Sequence, residues 1–164
     1  YANKYLMPIS VVRPFNNYGP GMKLQDKRVP ADFAKAIIDN KDIVMFSDGS
    51  STRTFCYVAD AITGYLKALT YARFDYFNIG IDSPEISIKE LALLYKKIGK
   101  KLLNYKGRVL FEKSVDRHYT TDNPLRRCPD IRKSRRLLGF NARIKVKEGI
   151  ERYLKYLIET EAGK

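Results

Sequence analysis

The chain has 164 residues, 45% hydrophobic and 30% charged, enough apolar content for one compact core and outside the composition of disordered chains. Its apolar runs, such as Ala61 to Leu69 and Leu91 to Tyr95, fall far short of the roughly 20 residues of a membrane span, so a soluble cytoplasmic protein with no membrane partner is expected. A net charge of +13 and a pI near 9.7 point to anionic partners, a requirement that nucleic acid, acidic lipid or a phosphorylated small molecule would each meet.

Tyr1 to Leu6 reads as the last turn of a helix halted by Pro8, with no initiator Met and no signal-like core, as in the middle of a longer protein. Ile9 to Val12 is a β-branched run suited to a buried strand, and Phe15 to Asp26 holds too many turn formers for a helix or central strand. Pro30 opens a helix to about Asn40, with apolar positions Phe33, Ala34, Ile37 and Ile38. Ile43 to Phe46 and Thr52 to Tyr57 are short strands around the turn Ser47 to Ser51, and a helix follows from about Asp60 to Leu69. Tyr76 to Ile79 is a strand, Ile88 to Ile98 an amphipathic helix and Val109 to Phe111 a strand. Ser114 to Pro129 is polar and irregular. Asp130 precedes a helix to Leu138 stopped by Gly139, and Val146 to Ile158 is the last helix, apolar at Ile150, Tyr153, Leu154 and Leu157. Helices alternate with short strands, a mixed α/β pattern with too few long strands for a complete doubly wound sheet.

Cys56 and Cys128 lie far apart without CxxC spacing, and the sole histidine, His118, sits in the irregular stretch. A disulfide framework or metal site is therefore not expected, and a reducing compartment is. Gly19-Pro20-Gly21 lacks the third glycine of a dinucleotide fingerprint, but glycine lets backbone approach a ligand and proline stiffens the turn. Asn16 and Asn17 in that loop suit either ligand contacts or Asx turns. Arg53, after a tight turn, can fork onto phosphate oxygens or lie on the surface. Arg28 precedes a helix whose positive end favours anions. Tyr57 and Asp60 fit helix-start packing and dipole complementation better than catalysis. The basic residues Lys96, Lys97, Lys100, Lys101, Arg126, Arg127, Arg132, Lys133, Arg135 and Arg136 would suit a nucleic-acid-binding module, but they fall largely on polar helix faces without a recognised motif.

The run Val12-Arg13-Pro14-Phe15-Asn16-Asn17-Tyr18-Gly19-Pro20-Gly21 resembles a signature of the extended short-chain dehydrogenases, the NAD-dependent nucleotide-sugar epimerases and dehydratases. Asp26 to Phe33, Phe46 to Asp60, Phe77 to Gly80, and Pro124 to Asp130 with Leu137 to Phe140 resemble further family blocks, in family order. Gly21-Met22 and Asp26-Lys27-Arg28-Val29 resemble the UDP-glucuronate decarboxylase branch most.

The resemblance implies an α/β fold: the C-terminal part of a Rossmann-type enzyme, an incomplete parallel sheet with a small mixed α/β substrate-binding domain. Residues 1–28 would be the last strand and loop region of the Rossmann domain, and 29–164 the sugar-nucleotide-binding domain with returning Rossmann elements. It implies substrate contacts from Asn16, Arg28, Val29, Phe46, Arg53 and Arg127, with both Arg53 and Arg127 on the diphosphate. Pro14 and Asn16 would touch NAD, which is bound mainly by the half upstream of Tyr1. The catalytic Tyr-x-x-x-Lys pair would lie there too, so this chain supplies no catalytic residue and alone should not turn over. The implied reaction is UDP-glucuronate to UDP-xylose and CO2 through a 4-keto sugar, with 4,6-dehydration of dTDP-glucose or 4-epimerisation as alternatives. A homodimeric parent acting on a nucleotide sugar, and not on nucleic acid, is expected.

Overall fold

The computed structural model describes residues 1–112 and 124–161. In chain order the elements are α1 (Ala2–Tyr5), β1 (Ser10–Pro14), β2 (Asn17–Tyr18), α2 (Val29–Ile38), β3 (Ile43–Met45), β4 (Thr52–Arg53), β5 (Cys56–Tyr57) and α3 (Val58–Leu69). They continue with β6 (Asp75–Ile79), β7 (Ile86–Ser87), α4 (Ile88–Leu103), β8 (Val109–Phe111), β9 (Arg126–Arg127), α5 (Arg132–Leu138) and α6 (Val146–Glu161). His118 and most of the stretch expected to be irregular lie outside the described residues. Two compact units interleave along the chain: Tyr1–Asn17, Thr54–Glu85 and Cys128–Val146 form one, and Tyr18–Arg53, Ile86–Arg127 and Lys147–Lys164 the other. The single strand expected over Thr52 to Tyr57 is therefore two short pieces, because the chain passes from one unit to the other at Arg53 and Thr54.

In the first unit β1 and β6 run parallel, Ser10 opposite Asp75 and Pro14 opposite Ile79. A parallel pair needs a crossover, and α3 lies in the segment that provides it. Ala61, Gly64 and Ala68, spaced at three and four, form its buried stripe. A Cβ on Gly64 would stand 2.6 Å from Ile79 Cγ2 and 2.9 Å from Phe140 Cε2, so the absence of a side chain sets how closely the helix approaches. Phe77, Ile79, Ile81, Phe140 and Cys56 complete this core. Burial, helped by the nearby Asp60 charge, pushes the Cys56 thiol up to about 12, so it packs as a small apolar group.

Asp60, in the first turn of α3, accepts the backbone N–H groups of Arg143 and Ile144 at 2.9 and 2.8 Å. That is a structural role, as the helix-start reading of Asp60 expects. Helix α5 is held to the sheet by Ser134, which donates to the Asn78 carbonyl at 2.6 Å. It ends at Gly139 with φ 58°, where Lys67 donates to the carbonyls of Leu138 and Gly139, each at 3.1 Å. A cation at the negative end of the helix both caps and complements it.

In the second unit α2 packs on α4 and β3, α4 packs on β3, β8 and β7, and Lys101 of α4 reaches Glu151 of α6 at 3.3 Å. Ser87 and Glu90 form a capping box at the start of α4: the Ser87 hydroxyl accepts the Glu90 N–H at 3.1 Å and the Glu90 carboxylate accepts the Ser87 N–H at 2.8 Å. Phe33 of α2 meets Tyr95 of α4 edge-on, centroids 5.8 Å apart. From α6, Ile150, Tyr153, Leu154 and Leu157 are all buried, matching the predicted stripe.

Two buried tyrosines of this unit differ in their hydroxyls. Tyr105 donates to the Lys41 carbonyl at 2.6 Å, whereas the fully buried Tyr95 hydroxyl has no partner among the described residues. Tyr105→Phe should therefore lose about 0.5–1.5 kcal/mol in chemical denaturation, while Tyr95→Phe should be neutral or stabilising. Equal losses in the two variants would contradict this difference.

Candidate functional site

The first unit carries Pro14 and Asn16. Pro14 ends β1, and ligands of open parallel sheets gather at such carboxyl ends. Asn16 follows with φ 45°, a left-handed conformation that asparagine tolerates. Its amide Nδ2 donates to the Thr54 carbonyl at 2.8 Å, and its own backbone carbonyl accepts the Cys56 N–H at 3.2 Å. The loop is thus fastened at Asn16 by main-chain and side-chain bonds together, and the amide oxygen is left as an acceptor. Asn17 donates to the Tyr65 hydroxyl, which makes it a packing residue of the same unit.

The second unit carries the remaining candidates. The turn Ser47 to Ser51 is tied to the start of α4, where the Gly49 carbonyl accepts the Lys89 N–H and the Ser51 carbonyl the Ile88 N–H, each at 3.0 Å. Asp48 accepts both the N–H and the hydroxyl of Ser50, at 2.9 and 2.7 Å, and these bonds hold its carboxyl below the usual carboxylate range. Gly49 has φ 74°, and a Cβ there would lie 2.9 Å from Lys89 Cβ and 3.0 Å from its backbone nitrogen. Only glycine suits both the conformation and the space.

That turn delivers Arg53. A surface position was one of its two sequence readings, yet Arg53 is 8% exposed, with its guanidinium donating to the Thr52 carbonyl at 2.7 Å. In the sheet, β4 lies between antiparallel β7 and parallel β9, with Arg53 opposite Ile86 and opposite Arg127. Successive side chains of a strand alternate faces. Arg53 and Arg127 therefore share one face of the sheet, while Thr52, Arg126 and Ser87 share the other. Like charges directly opposite are unfavourable, so a bound anion would offset the cost of that pairing. Arg127 is exposed.

The other candidates sit on different elements of the unit. Arg28 is the N-cap residue of α2, and its guanidinium is engaged by the Asp26 carboxylate, its Nε at 2.8 Å. Val29 opens the helix and is partly buried. Phe46 follows β3 and is 41% exposed. Sequence reasoning missed the capping box and the Gly49 contact that together fix the turn before Arg53. The Ser87-x-x-Glu90 signature ahead of an apolar run is the signal that marks the first.

The family model described as NAD dependent epimerase/dehydratase family matches residues 1–80. UDP-glucuronic acid decarboxylase 6 of Arabidopsis thaliana is 31% identical over 150 residues, covering 92% of this chain and 41% of that protein. The chain belongs to the NAD-dependent epimerase/dehydratase family. Among solved structures of the family, the Bacillus cereus UDP-glucuronic acid 4-epimerase, in complex with UDP-glucuronic acid and NAD, superposes with TM-score 0.78 at 25% identity. The match covers 98% of this chain and 48% of that one. The Thermotoga maritima UDP-glucose 4-epimerase shares the fold at TM-score 0.85 and 23% identity, over 98% of this chain and 49% of its own. The chain thus spans half or less of the length of these family members.

Gly49→Ala should lower the melting temperature by several degrees, because a left-handed alanine costs about 1–2 kcal/mol before the Lys89 clash is counted. A melt unchanged from that of the parent sequence would show that the turn is not locked as described.

Proposed function

We propose that this chain is the nucleotide-sugar-binding portion of an NAD-dependent sugar-nucleotide enzyme whose whole reaction is decarboxylation of UDP-glucuronate to UDP-xylose. The carrying observation is the register of Arg53 with Arg127, which puts two guanidiniums on one face of a sheet at the spacing of adjacent strands. A pyrophosphate presents anionic oxygens on two phosphorus atoms, and paired arginine forks suit it better than lysines would. The buried Arg53 is preorganised by the Thr52 carbonyl and loses little side-chain freedom on binding. Phe46 supplies a surface for the base, and Arg28 and Val29, at the N-terminus of α2, supply a further contact to the nucleotide. The decarboxylase assignment is supported by the likeness to the Arabidopsis thaliana decarboxylase and by Gly21-Met22 and Asp26 to Val29.

Residues 1–28 are read as the last strand and loop region of a Rossmann domain and 29–164 as the sugar-nucleotide-binding domain with returning Rossmann elements; of the first stretch, Tyr1–Asn17 lies in one compact unit with Thr54–Glu85 and Cys128–Val146. Pro14 and Asn16 fit the edge of an NAD site: a carboxyl strand end followed by a fastened loop with an amide oxygen to spare. NAD supplies hydride acceptance and return. This chain's part is to bind and orient: Asn16 directs its amide, and the arginines hold the diphosphate. The Tyr-x-x-x-Lys pair and most of the cofactor contacts are assigned to the remainder of a homodimeric, cytoplasmic parent. A second reading, 4-epimerisation, is favoured by the likeness to the Bacillus cereus enzyme bound to UDP-glucuronic acid.

Arg53→Ala should weaken UDP binding in calorimetry by roughly tenfold or more, and the exposed Arg127→Ala should do so with the fold intact. Unchanged affinity in both would remove the pair from the site. Full-length protein with NAD+ and UDP-glucuronate should release CO2. Inversion at C4 without CO2 would select the epimerase reading.

A further inference from the structure

The basic run Arg132, Lys133, Arg135 and Arg136 is not used by the nucleotide-sugar reading. In the first unit, Asp130, Arg132, Lys133 and Arg136 line a cavity of ≈ 360 Å³. Arg136 stands four residues after Arg132 and three after Lys133, so the three cations share a helix face. Such like-charge neighbours destabilise a helix, and α5 has no acidic residue in its first turn to compensate.

Existing pairs offset only part of this charge. Asp130 accepts from Arg132 Nε at 3.0 Å and from its Nη2 at 2.5 Å. Lys133 is paired with Asp75 and stands 3.9 Å from the centroid of the Tyr76 ring. Arg135 is engaged elsewhere, forked onto Asp82 at 2.9 and 2.9 Å. Arg136 has no ion pair among the described residues. Three cations and one carboxylate thus line this concave surface, with Lys133 also paired to Asp75.

We propose that this groove binds a small di- or polyphosphate anion, held chiefly by Arg136 with Lys133 and Arg132. A concave site of this volume suits a compact anion, whose charges would take up the donors that Asp130 and Asp75 leave open. An extended polyanion such as DNA gains by neutralising a long track of cations and has less use for a short cluster.

The test is calorimetric titration of inorganic pyrophosphate into the Arg127→Ala protein, which has lost half of the other arginine pair. One-site binding is expected, weakened roughly fivefold by Arg136→Gln and largely restored in Arg136→Lys, with sulfate at equal ionic strength much the weaker ligand. Arg136 is exposed and stands among like charges, so its substitution should not lower the melting temperature. Binding that is absent, or equal with and without Arg136, overturns the proposal. So does a DNA duplex that requires Arg136 and that pyrophosphate fails to displace. A nucleotide-sugar site that failed its own test at Arg53 would leave the Arg136 comparison unaffected.

Discussion

Parallel strand pairing is the constraint on which the rest of this structure depends. Parallel neighbours cannot be joined by a tight turn, so each pair encloses a long stretch of intervening chain. Here β1 pairs with β6, β3 with β8 and β4 with β9, and the chain between partners serves more than one element of the fold. The pairing of β4 with β9 sets Arg53 against Arg127 across a wide separation in sequence. No local signal determines that meeting. It follows from register alone, and a slip of one residue would put the two guanidiniums on opposite faces.

Within each unit, polar groups are fixed by bonds to backbone more than by bonds to one another. Asn16 is fastened by the Thr54 carbonyl, Arg53 by that of Thr52, Ser134 by that of Asn78, and Asp60 by two amide groups. Backbone partners do not swing away as side chains do. A residue so held presents its remaining donors or acceptors in one direction, which preorganised recognition of a phosphate or amide requires.

The helices were legible because their apolar positions recur with the helical period over two or more turns. Val146 to Glu161 buries the four residues that the spacing selects, and Val109 to Phe111 forms the strand expected of it. The two-residue strands β7 and β9 were not legible, since a pair of residues is too short for alternation to register. Nor was the burial of Arg53, because nothing in the order of residues distinguishes a buried arginine from a surface one. The Thr52 carbonyl and the sheet around it make that difference. For the site, the family resemblance implies a shared role for Arg53 and Arg127, and the strand register sets the two residues opposite one another. Arg28 is turned to Asp26, a local ion pair that motif reading does not weigh.

The interleaving of the two units bears on synthesis at the ribosome. The first unit takes its last stretch from Cys128–Val146, including the backbone groups that satisfy Asp60 and the Phe140 ring that closes over Gly64. The first unit must wait for Cys128–Val146, made after Tyr18–Arg53 and Ile86–Arg127 of the second, and the second waits for the stretch from Lys147. Folding should therefore be late and slow, with the part of the α3 apolar face that meets Phe140 uncovered until translation has passed that residue. For this chain, the interval before that point is when capture by chaperones or aggregation would compete with the native state.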